Sequence, residues 1–368
     1  MAISVDVGHE RRFELSVGEV TGAFGDSVTV LPIVVAATAL TSLSLSHVLL
    51  GFAVFQIVWG VYYGLPVSVE PMKALAALVV AGSLSAAGLV AAGLLAGVVL
   101  LAVGTFDLLD RVESYLSAPV IRGVQLAVGL ALVQTGVGLA VENLVLAGVA
   151  VAVVAVLALA DRYRESALVV LLLGAVVALA RTGLTPQVPA FSLVSLPPLS
   201  GLPVDVLQAT VGQLAMTVGN AAVATSLLLS DYFDADVSPD ELARSMGLMN
   251  LLAVPLGAMP MCHGSGGVAG KYSFGARTAG SNLVLGVTYA VLAVVAAGVV
   301  AAFPVAVLGV VLVLVGVQLG RTALESSHLG VTTAVGVVGL LAGVGATFVG
   351  ATLVDLAVGR LRDRRARG

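Results

Sequence analysis

Apolar residues fill this chain in long runs, and polar residues gather in the short gaps between them. The runs parse into seven segments in the first half, at about 17–40, 46–63, 68–82, 86–106, 119–140, 143–160 and 165–181. The second half parses into seven more, at about 205–230, 241–258, 264–280, 281–301, 302–320, 326–342 and 344–359. Most reach the roughly 18 residues that a helix needs to cross the hydrocarbon core of a bilayer. The third and tenth are short and interrupted by Gly or Pro, which predicts half-helices that begin near mid-membrane. The last two are also short and could form one hairpin.

The two halves match each other. Gly18-Glu19-Val20 and Phe24-Gly25-Asp26 lie 194 residues before Gly212-Gln213-Leu214 and Val218-Gly219-Asn220, and Pro66 lies 194 before Pro260. Two matches at one offset without a gap argue for a duplicated unit. An odd number of crossings per unit sets the units in opposite orientations, the inverted repeat of many secondary transporters. The organisation expected is a cytoplasmic tail (1–15), repeat 1 (16–181), an outward linker (182–204) with five prolines and no charge, repeat 2 (205–359) and a basic cytoplasmic tail (360–368).

Composition and charge support a membrane protein. Apolar residues make up 59% and charged residues 10% of the 368, with mean hydropathy +1.10; soluble domains carry about 25% charged residues. The polar start MAISVDVGHERRFEL shows no signal peptide. The single cysteine, Cys262, excludes an internal disulfide. Net charge −4 and the lack of a basic patch argue against a nucleic-acid partner. Arg11, Arg12, Arg111, Arg122, Arg162, Arg164, Arg244, Arg277, Arg321 and the terminal arginines all fall on one side if fourteen spans leave both termini inside; Arg181 is the exception. Positive charge marks the cytoplasmic side, so the expected location is the cell (inner or plasma) membrane, multi-pass, with both termini cytoplasmic.

The candidate chemistry lies at the breaks. Gly25-Asp26-Ser27, Ser68–Lys73, Gln213–Asn220 and Cys262–Gly270 converge if the repeats cross. Non-helical backbone at membrane depth survives only where protein buries it or a wet cavity faces it. A half-helix starting there offers free N–H groups and a positive dipole end to an anion, and the run His263-Gly264-Ser265-Gly266-Gly267 lets backbone approach a ligand closely. The only lysines, Lys73 and Lys271, occupy these regions, one in each half. Ionisable residues within spans are functional candidates because inserting them costs at least about 2.5–3.5 kcal/mol. Glu19, Asp26, Glu70 and Lys73 qualify. Against this stand plainer readings: Glu70 and Lys73 as an ion pair holding a half-helix, His263 as a packed histidine, and Glu19 as a structural residue. Gly93/Gly97 and Gly339/Gly343 read as packing faces. A G-x-G-x-x-A match at 264–269 and a P-loop-like run at 265–271 lack the strand context that either needs. There is no nucleophile–base pair and no metal-ligand set, so neither an enzyme nor a cofactor or metal is expected.

Several pieces resemble the molybdate transporter family, the sulfate-permease-related branch without a cytoplasmic regulatory domain: GDSVT…P at 25–32, PVSVEPMKA at 66–74, QLAMTVGN at 213–220, SMGLMN at 245–250, and GAMPMCHGSGG…FGAR at 257–277. The resemblance covers about residues 15–300 and is most specific in the last piece. It implies an all-α membrane fold of about fourteen segments in a 7+7 inverted repeat, as in sulfate and uracil permeases, with spans 1–4 and 8–11 as a core moving against a gate of spans 5–7 and 12–14. The anion would lie between half-helices 3 and 10. The candidate substrate contacts are Asp26, Ser27, Glu70, Met72, Lys73, Gln213, Thr217, Asn220, His263, Gly264, Ser265, Gly266 and Gly267. The family usually has Gln where this chain has Glu70, so Glu70 must be protonated, paired with Lys73 or turned away; Glu70 and Asp26 are the candidates for proton coupling.

The function expected is secondary active transport, by alternating access, of a tetrahedral oxyanion: molybdate first, with tungstate or sulfate as alternatives. Other readings are a nucleobase or organic-anion symporter on the same fold, or a sensor that binds the anion without transporting it. The partners expected are the oxyanion and the lipid bilayer. A homodimer follows by analogy with related folds.

Overall fold

The computed structural model describes residues 3–6, 12–113, 115–184, 186 and 202–367. Most of the expected outward linker, 185 and 187–201, lies outside the described residues. A two-strand ribbon, β1 (Ile3–Asp6) on β2 (Arg12–Leu15), precedes the helices. The first half contains α1 (Val17–Leu40), α2 (Leu45–Tyr63), β3 (Glu70–Pro71), α3 (Lys73–Val80), α4 (Ala86–Thr105), α5 (Leu109–Glu113), α6 (Ala118–Ala140), α7 (Leu144–Leu159) and α8 (Ser166–Thr182). The second contains α9 (Val204–Met216), α10 (Ala224–Phe233), α11 (Pro239–Ala253), β4 (Met261–Cys262), α12 (Ser265–Ser273), α13 (Gly280–Val295), α14 (Ala297–Ala301), α15 (Val305–Arg321), α16 (Leu329–Ala342) and α17 (Val344–Arg367).

Local chemistry sets the helix ends. Ser16, Ser85, Asn143 and Ser238 each accept a bond from the backbone N–H three residues on, satisfying a donor that a helix start leaves open. Gly64 ends α2 in the left-handed conformation (φ 66°) that favours glycine. A π-helical segment, Thr217–Val223, joins α9 to α10 and overlaps the predicted kink region 213–220. Such bulges are frequent at functional sites.

A helix stands at each of the fourteen predicted segments, and α3 and α12 are the short half-helices expected. By length and apolarity alone, six continuous helical stretches among the described residues qualify as membrane spans, or seven with α1, whose two parts meet at 44°. Pro32 lies inside α1 and removes a bond to the carbonyl of Val28. The count falls below fourteen for physical reasons. The stretch Ala118–Leu159 contains both α6 and α7, and α13, α16 and the apolar part of α17 are shorter than a full crossing.

The packing pairs come in matched sets. α2 lies on α13, and its repeat counterpart α11 lies on α4; α1 lies on α12, and α9 lies on α3. α6 packs on α15, its own counterpart, where Gly129 meets Gly316 and Gly136 meets Gly309. A Cβ at Gly129 would stand 2.6 Å from the Gly316 carbonyl, and one at Gly316 would stand 2.6 Å from that of Gly129. Small residues let helix backbones approach where lipid offers no hydrophobic drive for association. This reciprocal pattern is what two interlocked, inverted repeats produce. Gly93, Gly97 and Gly339 serve as packing faces, against Pro260, Asn250 and Ala127 respectively.

Candidate functional site

The two half-helices are tied together at their starts. β3 and β4 pair antiparallel, Glu70 with Cys262 and Pro71 with Met261, and the Met72 N–H donates to the Pro260 carbonyl at 2.8 Å. Asn250 of α11 fixes β4 through both of its amide atoms: Oδ1 accepts from Met261 N at 2.8 Å and Nδ2 donates to Met261 O at 2.7 Å. His263 braces the crossing. Its Nδ1 lies 2.9 Å from the Ser68 carbonyl and its Nε2 lies 2.8 Å from Ser245 Oγ. The imidazole is edge-on to Trp59 and Tyr63 and has no solvent exposure.

Behind the crossing lies a buried ionic network. Lys271 Nζ sits 3.3 Å from Asp26 Oδ2 and donates to Gln56 Oε1, the Val67 carbonyl and Asn282 Oδ1 at 3.0, 3.1 and 2.8 Å. Asp26 also accepts from Ser68 Oγ at 2.7 Å and Gln56 Nε2 at 3.0 Å. Nearer the helix starts, Glu70 pairs with Lys73 at 2.7 Å. Of the three states open to Glu70 on sequence grounds, the structure shows the ion pair. The start of α3 is capped by Gln213, whose Oε1 accepts from Ala74 N and Leu75 N at 2.9 and 3.2 Å, while its Nε2 donates to Thr217. Glu19 accepts three backbone bonds, from Arg277, Thr278 and Ser281, which matches the plainer of its two readings.

A cavity of about 270 Å³ opens in front of the half-helices. One wall carries Ile33 of α1, Lys73 of α3, Asn220 of the π segment, and Ser265 and Gly266 of α12; the other carries Arg122 and Gln125 of α6, Gln318 of α15, and Thr322. Ser265 donates to Asn220 Oδ1 at 2.9 Å. A Cβ built on Gly266 meets nothing within 4 Å, so the backbone here faces open space. A second hollow of about 220 Å³ shares Arg122, Gln125 and Asn220 with the first and reaches the exposed Glu113. Two larger hollows, of about 380 and 530 Å³, carry neither lysine nor arginine.

Of the thirteen candidate contacts, Lys73, Asn220, Ser265 and Gly266 line this cavity. The others do not line it and are held by protein partners around the crossing. Asp26, Glu70, Gln213, Thr217 and His263 are engaged as described; Ser27 is buried near Tyr289, and Met72 is buried at the cap of α3. Gly264 and Gly267 pack so tightly on Glu70, Ser68 and Asp26 that neither has room for a side chain. Each start that might have offered bare N–H groups therefore has a side chain of this protein beside it: Gln213 at α3 and Glu70 at α12. Sequence reasoning missed Arg122, Gln125, Gln318 and Thr322. The spacing of Arg122 and Gln125, one helical turn apart at the head of an apolar span, was the available signal.

Comparison with known proteins sets this geometry in a family. The chain matches the description "Molybdate transporter of MFS superfamily" over residues 18–132 and 205–319, one stretch in each half. The chain belongs to the molybdate transporter family. Within reach of that family, Molybdate transporter 1 of Arabidopsis thaliana is 32% identical over 377 residues, covering 86% of this chain and 82% of that protein. Molybdate transporter 2 of the same plant is 28% identical, covering 83% and 78%. Among solved structures, the transmembrane domain of a cyanobacterium bicarbonate transporter, BicA, superposes with TM-score 0.68 at 20% identity, over 94% of this chain and all of that one. Murine Solute Carrier 26 family member A9, an anion transporter in the inward-facing state, gives 0.71 at 16% identity, over 97% and 70%. At such identities the likeness speaks for the fold, which is the sulfate-permease-like architecture expected. These relatives are named as transporters, not as enzymes.

Proposed function

We propose that this protein is a secondary active transporter of a tetrahedral oxyanion, molybdate first. The anion would bind in the 270 Å³ cavity between the half-helices and the α6–α15 pair. The observation that carries this reading is the lining itself. It combines two cationic side chains with the polar groups of Asn220, Ser265, Gln125, Gln318 and Thr322 and a bare glycine backbone at the start of α12. That start contributes the positive end of a helix dipole, offset in part by the Glu70 carboxylate beside it. The volume is slightly below the roughly 300–1,000 Å³ of pockets for drug-sized ligands, which suits a small ion. One wall belongs to the half-helix bundle and the other to the gate helices, so sliding of one against the other would expose the site alternately to each side. The arginine bias along the loops supports cytoplasmic termini in the plasma membrane, and the second hollow would then be the cytoplasmic exit.

Uptake of molybdate into proteoliposomes containing the purified protein tests this directly, with sulfate and uracil as competitors. Saturable uptake blocked by unlabelled molybdate and not by uracil is expected. Binding without uptake would make the protein a sensor, and competition by uracil would move it to the nucleobase class.

A further inference from the structure

The charges around the cavity do not balance a dianion on the half-helix side. Lys73 is paired with Glu70, and Lys271 behind it is paired with Asp26, so these ionic groups sum to zero. A doubly charged ion leaving water for a poorly solvated site needs compensating charge. Lys73 and Arg122 are the cationic residues of the lining, and Arg122 is held by the opposite wall. Its Nη2 lies 2.9 Å from Glu325 Oε2, and its Nη1 lies 3.4 Å from Gln125 Oε1, which Thr322 also bonds at 2.8 Å. The Glu325 side chain is 66% exposed and that of Arg122 is 31% exposed. An ion pair so open to water is weak, and either partner can be hydrated at little cost.

We infer that Arg122 is the gate helix's own ligand for the oxyanion, and that it exchanges Glu325 for the substrate. This rests on the cavity being the transport site. The guanidinium is suited to the task, since its fixed fork of N–H donors matches two oxygens of one oxyanion. Arg122 sits where the two hollows meet, with Asn220 facing it from the half-helix side in both. An anion held at once by Arg122 and by Ser265 and Gly266 bridges the two walls and draws them together. Its departure returns Arg122 to Glu325 and leaves the path past Glu113 unbridged. The Arg122–Glu325 pair is thereby an internal competitor of the substrate.

The test is molybdate binding to the detergent-purified full chain by calorimetry, at two salt concentrations, for wild type, Arg122→Gln, Arg122→Lys, Glu325→Gln and Gly266→Leu. Loss of one charge-assisted bidentate contact should weaken binding by about tenfold or more in Arg122→Gln, with a shallower salt dependence. Arg122→Lys should recover part of the loss. Glu325→Gln, which removes the competitor, should bind a few-fold more tightly. Wild-type binding in Arg122→Gln alongside lost binding in Gly266→Leu would overturn the role of Arg122 and leave the cavity standing. Unchanged binding in both would overturn the cavity as well. Equal weakening in Arg122→Gln and Glu325→Gln, with no recovery in Arg122→Lys, would make the pair a structural brace and refute the exchange.

Discussion

The Lys271 ammonium lies 3.3 Å from the Asp26 carboxylate, and neither side chain is exposed at all. Each of these residues comes from a different half of the chain, so the pair fastens α12 to α1 behind the half-helix crossing. Removing one partner of a buried pair leaves a bare charge, at a cost of about 3–5 kcal/mol. Lys271→Met should therefore lower thermal stability in detergent sharply. The double variant Lys271→Met, Asp26→Asn should regain much of the loss. A single variant as stable as wild type would show that the network is dispensable.

Glu70 and Lys73 form the pair nearer the cavity. Glu70→Gln leaves Lys73 with uncompensated charge. Molybdate should then bind more tightly, by about tenfold if the change is worth one pKa unit of interaction, or 1.36 kcal/mol. Wild-type affinity in Glu70→Gln would leave Glu70 as a brace for the start of α3 with no effect on the ligand.

Gly266 and Gly267 should respond in opposite ways to enlargement. A side chain at Gly266 enters open space, so Gly266→Leu should fold normally, fill the cavity and abolish binding. At Gly267 a Cβ would run into Ser68, Asp26 and Glu70, so Gly267→Leu should fail to give a monodisperse protein. Size-exclusion profiles and molybdate titrations of the two variants decide the matter. Normal folding of both would mean that the crossing is looser than its packing indicates.

Gln213→Ala should destabilise the protein through the start of α3. The substitution leaves the N–H groups of Ala74 and Leu75 without their acceptor, at a cost of about 1–3 kcal/mol for buried groups. Hydrogen exchange at residues 74–75 should speed up while that of α13 is unchanged. Equal protection in variant and wild type would show that another group takes over the cap.

Much of the architecture was legible in advance. The apolar runs placed a helix at each segment, with some ends off by a turn or two, because a bilayer demands long apolar stretches whatever their neighbours. The repeat offset anticipated which helices would be counterparts, and the Gly/Pro breaks located both half-helices. The cavity wall was only half legible. Lys73, Ser265 and Gly266 announced themselves by sitting at breaks, where an ionisable side chain or bare backbone inside a membrane needs a reason. Arg122, Gln125 and Thr322 did not, because at the end of an ordinary span they read as loop charge and polarity.

The sequence by itself therefore determined the membrane class and the order of the helices, since these follow from local hydrophobicity and chain connectivity. Only the tertiary structure decided which polar groups remain for a ligand. Asp26, Glu70, Gln213 and His263 are as suited to binding as Asn220 and Ser265 when judged by residue type. The folded chain engages the first four with other side chains, among them Lys271, Lys73, Thr217 and Ser245, and with buried backbone groups at the crossing, because an unpaired polar group buried there is costly. What is left facing the cavity is set by the residues that α6 and α12, two helices from opposite halves, turn toward it together.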